Sequence, residues 1–467
     1  MPVAFVRDSA SASKSKMYLD HDTIVAPATA SGGALTVIRI SGEEALAVAD
    51  RLFRGRVSLQ DAAGYTAHFG RIVEEDRLVD EVIATVFRAP RSYTGEEMVE
   101  FSCHGSSYIT SEVLRLACKA GARLAEGGEF TRRAYLNGKL DLSQAEAVAD
   151  LIASSSAAAH RLATHQMRGG YSSALDALRE ELLQLTALLE LELDFSEEDV
   201  EFADREQLAA TIKAIGREIE RLRGSFALGN AIKEGVAVAI VGAPNVGKST
   251  LLNELLQEDR AMVSEIAGTT RDVIEERLTI EGVLFRILDT AGIRHTADRL
   301  EQMGIDRTME SIRRAQLVVW MVDAATLTNG PIAAPEFTLR EDQRLLTVIN
   351  KIDQYPDVEL PVDVVAISAR TGEGVDRLRS ALRAAVPTEA LEQGVVIVSS
   401  MRHYEALTLA SEALDRALQG LQEGLPTDLL SEEVRSVIAA VGSITARGVI
   451  LPDEVLGTLF GRFCIGK

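Results

Sequence analysis

The sequence predicts a multidomain α/β chain. An α+β domain comes first, an all-α helical domain follows, and a phosphate-loop α/β domain is inserted within the helices. Three patterns lead to this prediction. Short strand-like runs fill the first third, proline-free helical patterns lie on both sides of the centre, and the centre reads strand, glycine-containing loop, helix. A chain of 467 residues is long enough for about three domains.

The first part has the alternation of a small two-layer domain. Strand-like runs occur at 23–26, 35–40, 67–73, 81–87 and 98–103, with helical patterns at 43–52 and 106–120. We expect the order β-α-β-β-α-β.

Helical spacing dominates on both sides of the central module. Apolar residues recur at this spacing in 143–159, 175–193 and 201–222, and again in 403–421, 428–441 and 453–460. The simplest geometry inserts the module into one helical domain whose two halves bury their apolar faces against each other. The alternative is two separate helical domains, but the final piece of roughly 75 residues would make a small core alone.

Composition restricts the function classes. The 49 basic and 70 acidic residues give a net charge of −21, which argues against a broad electrostatic grip on nucleic acid. No run of about 18 apolar residues predicts a membrane span. Residues 1–21 lack the apolar segment of a signal peptide and predict a flexible extension. An odd number of cysteines, three, without such a signal predicts a cytoplasmic location.

A phosphate-binding loop is the most informative motif. Residues 242–250 read G-A-P-N-V-G-K-S-T and fit G-x-x-x-x-G-K-[ST], between an apolar run at 236–241 and a helical pattern at 249–256. Backbone N–H groups of such a loop bind phosphate oxygens, Lys248 reaches the β- and γ-phosphates, and Ser249 ligates Mg²⁺.

Four further elements follow in the order of a GTPase. D-T-A-G at 289–292 faces the γ-phosphate, N-K-I-D at 350–353 reads guanine, S-A-R at 368–370 contacts the base, and Thr269 and Thr270 take the place of a switch threonine. An aspartate in N-K-x-D accepts from the N1–H and the 2-amino group of guanine, a donor pair that adenine lacks. We therefore expect a GTPase domain at 231–387, between helical segments at 140–230 and 388–467.

Several stretches outside these motifs resemble the MnmE (TrmE) family of tRNA-modification GTPases. They are D-T-I-V-A at 22–26, V-I-R-I-S-G at 37–42, Y-T-G-E-E at 93–97, H-G at 104–105, G-E-F-T-R-R-A-Y-L-N-G-K-L-D-L at 128–142, Q-A-E-A at 144–147, I-A-G-T-T-R-D at 266–272 and F-C-I-G-K at 463–467. The match covers nearly everything after residue 21. The departures are the basic, serine-rich extension before residue 17 and Arg370, which replaces a lysine.

The resemblance implies an architecture and partners. Residues 22–139 would form a tetrahydrofolate-binding domain that makes a homodimer. With an FAD protein of the MnmG (GidA) type, in a heterotetramer or larger complex, the family places aminomethyl or carboxymethylaminomethyl groups on C5 of the wobble uridine of certain tRNAs. The one-carbon unit comes from a derivative such as 5-formyl- or methylene-tetrahydrofolate.

The resemblance also assigns nucleotide and ion ligands. Many GTPases carry a glutamine after D-x-x-G, but here Ile293 stands there and cannot orient water. The family uses K⁺ to offset the charge that develops on the phosphates. The implied K⁺ ligands are Asn245, Ser264, Ile266 and Thr269, and the implied Mg²⁺ ligands are Ser249 and Thr270. The full GTP site would comprise Asn245, Val246, Gly247, Lys248, Ser249, Thr250, Ser264, Glu265, Ile266, Ala267, Gly268, Thr269, Thr270, Asp289, Thr290, Ala291, Gly292, Asn350, Lys351, Asp353, Ser368, Ala369 and Arg370.

Two assignments rest on the resemblance where the residues alone leave alternatives. Asp298 and Glu301 are indistinguishable from sequence as the group that orients the attacking water, and the resemblance favours Glu301 as catalytic. It places the folate site at Arg39, Glu100, Lys139 and Lys467, whereas Arg39 and Glu100 alone read as surface charges.

Two other residues invite a chemical role. His104 has no serine or acid at a known spacing and reads as structural. Cys464 could pack in its apolar surroundings or act as a nucleophile. A nucleophilic role requires a lowered thiol pKa, which the sequence does not show.

The competing function is a ribosome-assembly GTPase that binds rRNA. Such a protein would be expected to add a basic RNA-binding module, whereas this chain has an acidic balance. A membrane-remodelling GTPase would need an amphipathic basic or apolar anchor, which the sequence lacks.

Overall fold

A computed structural model describes residues 22–30, 32–194, 205–257, 276–288, 301–335, 337–446, 460 and 466. The described chain divides into two compact units, residues 1–149 with 445–467 and residues 150–444. Each unit is described by itself.

The first unit is built on a seven-stranded sheet. Its strands are β1 (Ile24–Pro27), β2 (Leu35–Ser41), β3 (Phe53–Gly55), β4 (Thr66–Glu74), β5 (Arg77–Phe87), β6 (Met98–His104) and β7 (Arg123–Leu124). Their order in the sheet is β3-β4-β5-β6-β2-β1-β7, and every pair is antiparallel except β1 with β7. The helices are α1 (Ala45–Leu52), α2 (Ser107–Lys119), α3 (Glu129–Leu136) and α4 (Leu142–Ala153), the last of which crosses the unit boundary.

The core of this unit lies between one face of the sheet and helices α1 and α2. Ile38, Ile40 and Phe101 from the strands pack with Val48 and Val113 from the helices, all fully buried or nearly so. The five predicted strand-like runs correspond to β1, β2, β4, β5 and β6, but the predicted β-α-β-β-α-β order is wrong, because it has four strands where the structure has seven. The runs lack β3 and β7. These strands have three and two residues, too few for an alternating pattern to be visible.

The second unit begins with helices. They are α5 (Ala157–Met167), α6 (Gly170–Asp194), α7 (Arg205–Gly224) and α8 (Phe226–Glu234), and, after the second sheet, α12 (Glu389–Glu392), α13 (Met401–Glu423) and α14 (Thr427–Thr445). The apolar spacing at 143–159 predicts one helix there, which is wrong, because the structure has two helices over this range. The chain leaves the helix at Ser154, and the Ser156 hydroxyl accepts from Ala159 N at 3.1 Å to begin α5. Serine side chains compete for backbone groups in this way and favour helix caps over helix interiors.

Helices from both sides of the central module share one core. Leu182, Ile215 and Leu222 from α6 and α7 are buried with Leu414 and Val437 from α13 and α14. The two halves therefore bury their apolar stripes together. The domain boundaries drawn from sequence stay a prediction.

The module between these halves has a six-stranded sheet. Its strands are β8 (Val236–Gly242), β9 (Glu276–Ile280), β10 (Val283–Ile287), β11 (Leu317–Asp323), β12 (Arg344–Asn350) and β13 (Val364–Ala366). Its helices are α9 (Lys248–Gln257), α10 (Glu301–Arg314) and α11 (Val375–Ala384), with 3₁₀ turns at Ala324–Asn329 and Ile352–Gln354. The order is β13-β12-β11-β8-β10-β9, and only the β9–β10 pair is antiparallel. The carboxyl ends of the parallel strands meet at one edge, where open α/β sheets bind ligands.

Candidate functional site

The glycine-containing loop after β8 is shaped for phosphate. Gly242, Asn245 and Gly247 have positive φ values of 153°, 59° and 105°, and α9 begins at Lys248. The Lys248 amine donates to the carbonyl oxygens of Gly242 at 2.8 Å and Ala243 at 2.9 Å. Burial lowers the pKa of Lys248. The ammonium group of Lys248 therefore lies beside the loop with little water around it, and a phosphate bound there would stabilise its charge.

Gly247 joins this loop to the end of β12. A Cβ at Gly247 would lie 2.3 Å from Asn350 Nδ2, and that nitrogen donates to the Val246 carbonyl at 2.7 Å. Only glycine fits both this approach and the positive φ.

The loops after β12 and β13 form a second, connected half of the site. Asn350, which is 2% exposed, accepts from Ala369 N at 2.9 Å. Arg370 Nη2 donates to Asp353 Oδ2 at 2.7 Å. The pKa of Asp353 is lowered, first by a hydrogen bond from the fully buried Ser368 and then by Arg370. The Asp353 carboxylate is therefore ionised and acts as a hydrogen-bond acceptor.

Lys351 has a partner that sequence reasoning missed. It adopts a left-handed conformation with φ 68°, and its amine lies 2.6 Å from Asp323 Oδ2. Asp323 is the last residue of β11. An acid that ends a buried apolar run was the signal that could have identified it.

Several predicted site residues lie outside the described residues. They are Ser264, Glu265, Ile266, Ala267, Gly268, Thr269, Thr270, Asp289, Thr290, Ala291, Gly292, Cys464 and Lys467. Glu301 is the first residue of α10. Asn245 and Thr250 are exposed, and Ser249 is partly buried in the first turn of α9.

A second polar site lies on the sheet of the first unit. Arg39 and Glu100 are directly opposite each other on β2 and β6. The Arg39 guanidinium contacts Glu100 Oε1 at 2.7 and 2.8 Å and donates to the Gly466 carbonyl at 3.5 Å. Their side chains are 16% and 22% exposed, so this is a half-buried pair, unlike the surface charges that the residues alone suggested.

Aromatic rings enclose this pair. The Arg39 guanidinium lies 5.0 Å from the Tyr93 ring centroid and 5.4 Å from that of Phe130, within the range of cation–π attraction. Lys139 donates to the Pro90 carbonyl at 3.0 Å. Sequence reasoning missed the two rings, although both lie in stretches that carry the family resemblance.

His104 is held by a buried acid. Its Nδ1 lies 2.7 Å from Asp80 Oδ1, and its backbone N–H donates to Asp80 Oδ2 at 2.8 Å. The imidazole is 67% exposed, whereas Asp80 is 7% exposed. The acid lies 24 residues earlier in sequence, so no local spacing could have indicated this pair.

A buried charge cluster lies close to the start of β1. The Arg133 guanidinium, 1% exposed, bonds Asp22 at 2.7 Å and Glu129 and Glu96 at 3.1 Å, and Arg123 bonds Glu129 at 2.6 Å. Arg133 and Glu96 line a cavity of about 550 Å³. The charges are paired within the cluster, and this pairing offsets the cost of removing the ions from water.

Two family models match the chain. The model described as "MnmE helical domain" matches residues 142–464, and the model "GTP-binding protein TrmE N-terminus" matches residues 23–139.

Curated relatives match over nearly the full length. The tRNA modification GTPase MnmE of Bacteroides fragilis is 48% identical over 467 residues, covering 96% of this chain and 100% of the relative. The protein of the same name from Bacteroides thetaiotaomicron is 47% identical over 468 residues, with 96% and 100% coverage. Among solved structures, Era from Aquifex aeolicus is 25% identical, covers 38% of this chain and 65% of its own, and has a TM-score of 0.23.

Proposed function

The chain belongs to the MnmE family of tRNA modification GTPases, and we propose that it is a K⁺-stimulated GTP hydrolase that acts on the wobble uridine of tRNA. With an FAD partner of the MnmG type, it would place (carboxymethyl)aminomethyl groups on C5 of that base, using a one-carbon unit from tetrahydrofolate. One observation supports the proposal most strongly. The side chain of Asn350, in the N-K-x-D motif, is hydrogen-bonded both to the phosphate loop and to the S-A-R loop.

The described residues fit a bound nucleotide. Lys248 and the amide groups of the loop from Asn245 to Lys248 would hold the phosphates, and Asp353 would accept from guanine. Ser249 and Thr270 would ligate Mg²⁺. Asn245 fits a K⁺ ligand because its left-handed backbone, φ 59°, places an exposed amide on the loop, with Ser264, Ile266 and Thr269 completing the set.

Hydrolysis needs an oriented water and a positive charge beside the phosphates, which offsets the negative charge that develops on them. Ile293 supplies no hydrogen bond for the water. Glu301 begins α10 and is the proposed acceptor that orients it. When bound, K⁺ would supply the charge that an arginine finger provides in other GTPases.

The Arg39–Glu100 pair supports the proposed folate site. Both guanidinium contacts fall on Glu100 Oε1, and among the described residues Oε2 has no partner. A pterin edge presents an N–H beside an amino group, which a carboxylate accepts well. The Tyr93 ring beside Arg39 offers a flat apolar wall, and Lys139 and Lys467 would reach other oxygens of the ligand.

The proposed assembly is a homodimer joined to the MnmG-type protein, in a heterotetramer or larger complex, in the cytoplasm. Phe69 and Ile83 are directly opposite on β4 and β5 and are 66% and 47% exposed. An apolar pair in this position favours a covering partner, which we take to be a second copy. Because the net charge is −21, we expect tRNA to contact a local basic patch of this chain or a surface that the partner protein supplies. No helix in the described part of the chain combines the length and apolar character needed to cross a membrane.

Potassium dependence tests the nucleotide half of the proposal. Turnover of GTP should be high in K⁺ and low in Na⁺, because a smaller ion does not span ligands spaced for K⁺. Asn245→Ala should lose this difference and still bind GDP, since backbone amides hold the phosphates. Equal turnover of the unaltered protein in both salts would remove the role of Asn245.

Binding of a reduced folate tests the other half. Glu100→Ala should weaken binding, at roughly 1–3 kcal/mol for each donor left unsatisfied. Lys139→Ala should have the smaller effect, because water can replace its contact. Glu100→Gln keeps the shape without the charge and is the matched control for packing. Unchanged affinity in Glu100→Ala would exclude the assigned role, whatever the GTPase result.

A further inference from the structure

Arg370 lies beside the carboxylate that would read guanine. Its Nη2 is 2.7 Å from Asp353 Oδ2, and the two side chains are 72% and 11% exposed. An ion pair with an exposed partner contributes little to stability, so little folding energy is expected from this one. Because Arg370 contacts a carboxylate that is largely shielded from solvent, we expect it to fix the orientation of that carboxylate.

The backbone of Arg370 is fixed from both sides. The preceding residue, Ala369, is 3% exposed, and its N–H donates to Asn350 Oδ1 at 2.9 Å. Two residues after Arg370, Gly372 N donates to the Ser368 carbonyl at 2.9 Å. The side chain thus extends from a closed turn toward Asp353, and reaching the carboxylate costs less conformational freedom than it would from a free loop.

Arg370 is the charged donor on this carboxylate, through its Nη2 on Oδ2 at 2.7 Å. The Ser368 hydroxyl contributes to the lowered pKa of Asp353, and its Oγ accepts from Thr371 N at 3.3 Å within the same turn. A charged donor on one oxygen restrains rotation of the carboxylate, and an ionised carboxylate still has acceptor capacity for a ligand.

We propose that Arg370 is a positioning residue that holds the Asp353 carboxylate in the plane that accepts both donors of guanine. This inference rests on the proposed guanine site. Two parallel hydrogen bonds to guanine require both oxygens to lie in the plane of the base edge, whereas one hydrogen bond tolerates rotation of the carboxylate. Arg370 therefore contributes to the preference for guanine over hypoxanthine, which lacks the 2-amino group.

Nucleotide affinities of the full chain test this role. Arg370→Ala should weaken GDP binding roughly fivefold, the equivalent of one hydrogen bond. Binding of inosine diphosphate should fall less than about twofold, because its single donor follows a rotated carboxylate. The ratio of the two affinities should therefore decrease. Arg370→Lys keeps a charged donor and should restore most of the ratio.

A purely structural role predicts a different result. If Arg370→Ala only loosened the loop, GDP and inosine diphosphate would lose affinity equally and the ratio would not change. Arg313→Ala is the matched control, since Arg313 is 74% exposed and paired with Glu310 at 3.4 Å on α10. An unchanged ratio in Arg370→Ala overturns the inference.

Failure of the proposed guanine site would be seen separately. Asp353→Asn replaces an acceptor by an amide whose NH₂ can donate to the 2-oxo group of xanthine. The variant should prefer xanthosine diphosphate to GDP. If it does not, the assignment of Asp353 to guanine is wrong. If it does, while the ratio in Arg370→Ala is unchanged, the guanine site stands and only the role of Arg370 fails.

Discussion

At the residue scale, the protonation state of single groups connects structure to binding. In the proposed guanine site, Asp353 must be ionised to accept from the base. The hydrogen bond from Ser368 is the largest cause of its lowered pKa, with Arg370 contributing less. The pKa of Cys103 is raised instead, because burial removes water that would stabilise the thiolate.

The Asp353 environment predicts a pH dependence. Because its folded-state pKa is lowered, GDP affinity should stay constant as pH falls through the usual range of an aspartate and decrease only below it. Ser368→Ala removes the main cause, so the decrease should begin at a higher pH. Titration of GDP binding by fluorescence in both proteins measures this shift, and identical profiles would show that Ser368 does not control the carboxylate.

Cys103 should be unreactive in the folded protein. Burial, with a smaller effect of the nearby Asp80 charge, raises the pKa of Cys103 to about 12, so almost no thiolate exists near neutral pH. Iodoacetamide labelling followed by peptide mass analysis should modify Cys103 only after unfolding in denaturant. The half-buried Cys118 provides the internal comparison and should react first. Rapid labelling of Cys103 in the native state would contradict the described burial.

At the scale of elements, the site is a set of loops at the carboxyl edge of one parallel sheet. The loop after β8 and the loop after β12 touch through Gly247 and Asn350. The Asn350 side chain therefore connects the two loops through the hydrogen bond that it donates to the Val246 carbonyl.

Gly247→Ala tests this contact. The new Cβ would lie 2.3 Å from Asn350 Nδ2 at a φ of 105°, and strain of this kind costs about 1–3 kcal/mol. Affinity for GDP and GTP should fall about fivefold or more, measured by calorimetry. Gly442→Ala is the control, since Gly442 lies in α14 with nothing within 4 Å of the added Cβ. Unchanged binding in Gly247→Ala would show that the loop does not depend on this approach.

The positions of the loops after β8 and β12 could be predicted from sequence because their motifs are local, whereas their binding of a nucleotide stays a prediction. G-x-x-x-x-G-K-[ST] and N-K-x-D each place their groups within a few residues, and the structure brings Lys248, Asn350 and Asp353 to one edge. The Arg39–Glu100 pair spans 61 residues and follows from strand register, which spacing does not predict. Only the family resemblance indicated it. The break at Ser154 was missed because apolar helical spacing continues across the serines.

At the scale of the whole molecule, the insertion gives one helical core from two distant parts of the chain. Leu414 on α13 is 3% exposed and faces α7, where its Cδ2 lies 3.3 Å from the position of a Cβ on Gly216. The second sheet also buries Leu162 of α5 and Ile232 of α8 in its own core. Helices α5 and α8 therefore pack directly against the second sheet.

Leu414→Ala should destabilise both halves of the helical core together. Removing a buried leucine costs about 2–5 kcal/mol. Amide hydrogen exchange should accelerate in α7 as well as in α13, because the two helices share the lost contacts. Leu409→Ala, at a position on α13 that is 61% exposed, should change stability by less than about 0.5 kcal/mol. Faster exchange confined to α13 would mean that the two halves are separate cores.

The proposed role of this GTPase is in modification of the wobble uridine. It is tested by incubating the protein with an MnmG-type FAD protein, unmodified tRNA, GTP, K⁺ and a reduced folate with glycine or ammonium, followed by mass analysis of nucleosides. We expect (carboxymethyl)aminomethyl-uridine only when both proteins and hydrolysable GTP are present, and little product when Na⁺ replaces K⁺. Unmodified uridine in the complete mixture, or equal product without this chain, would contradict it.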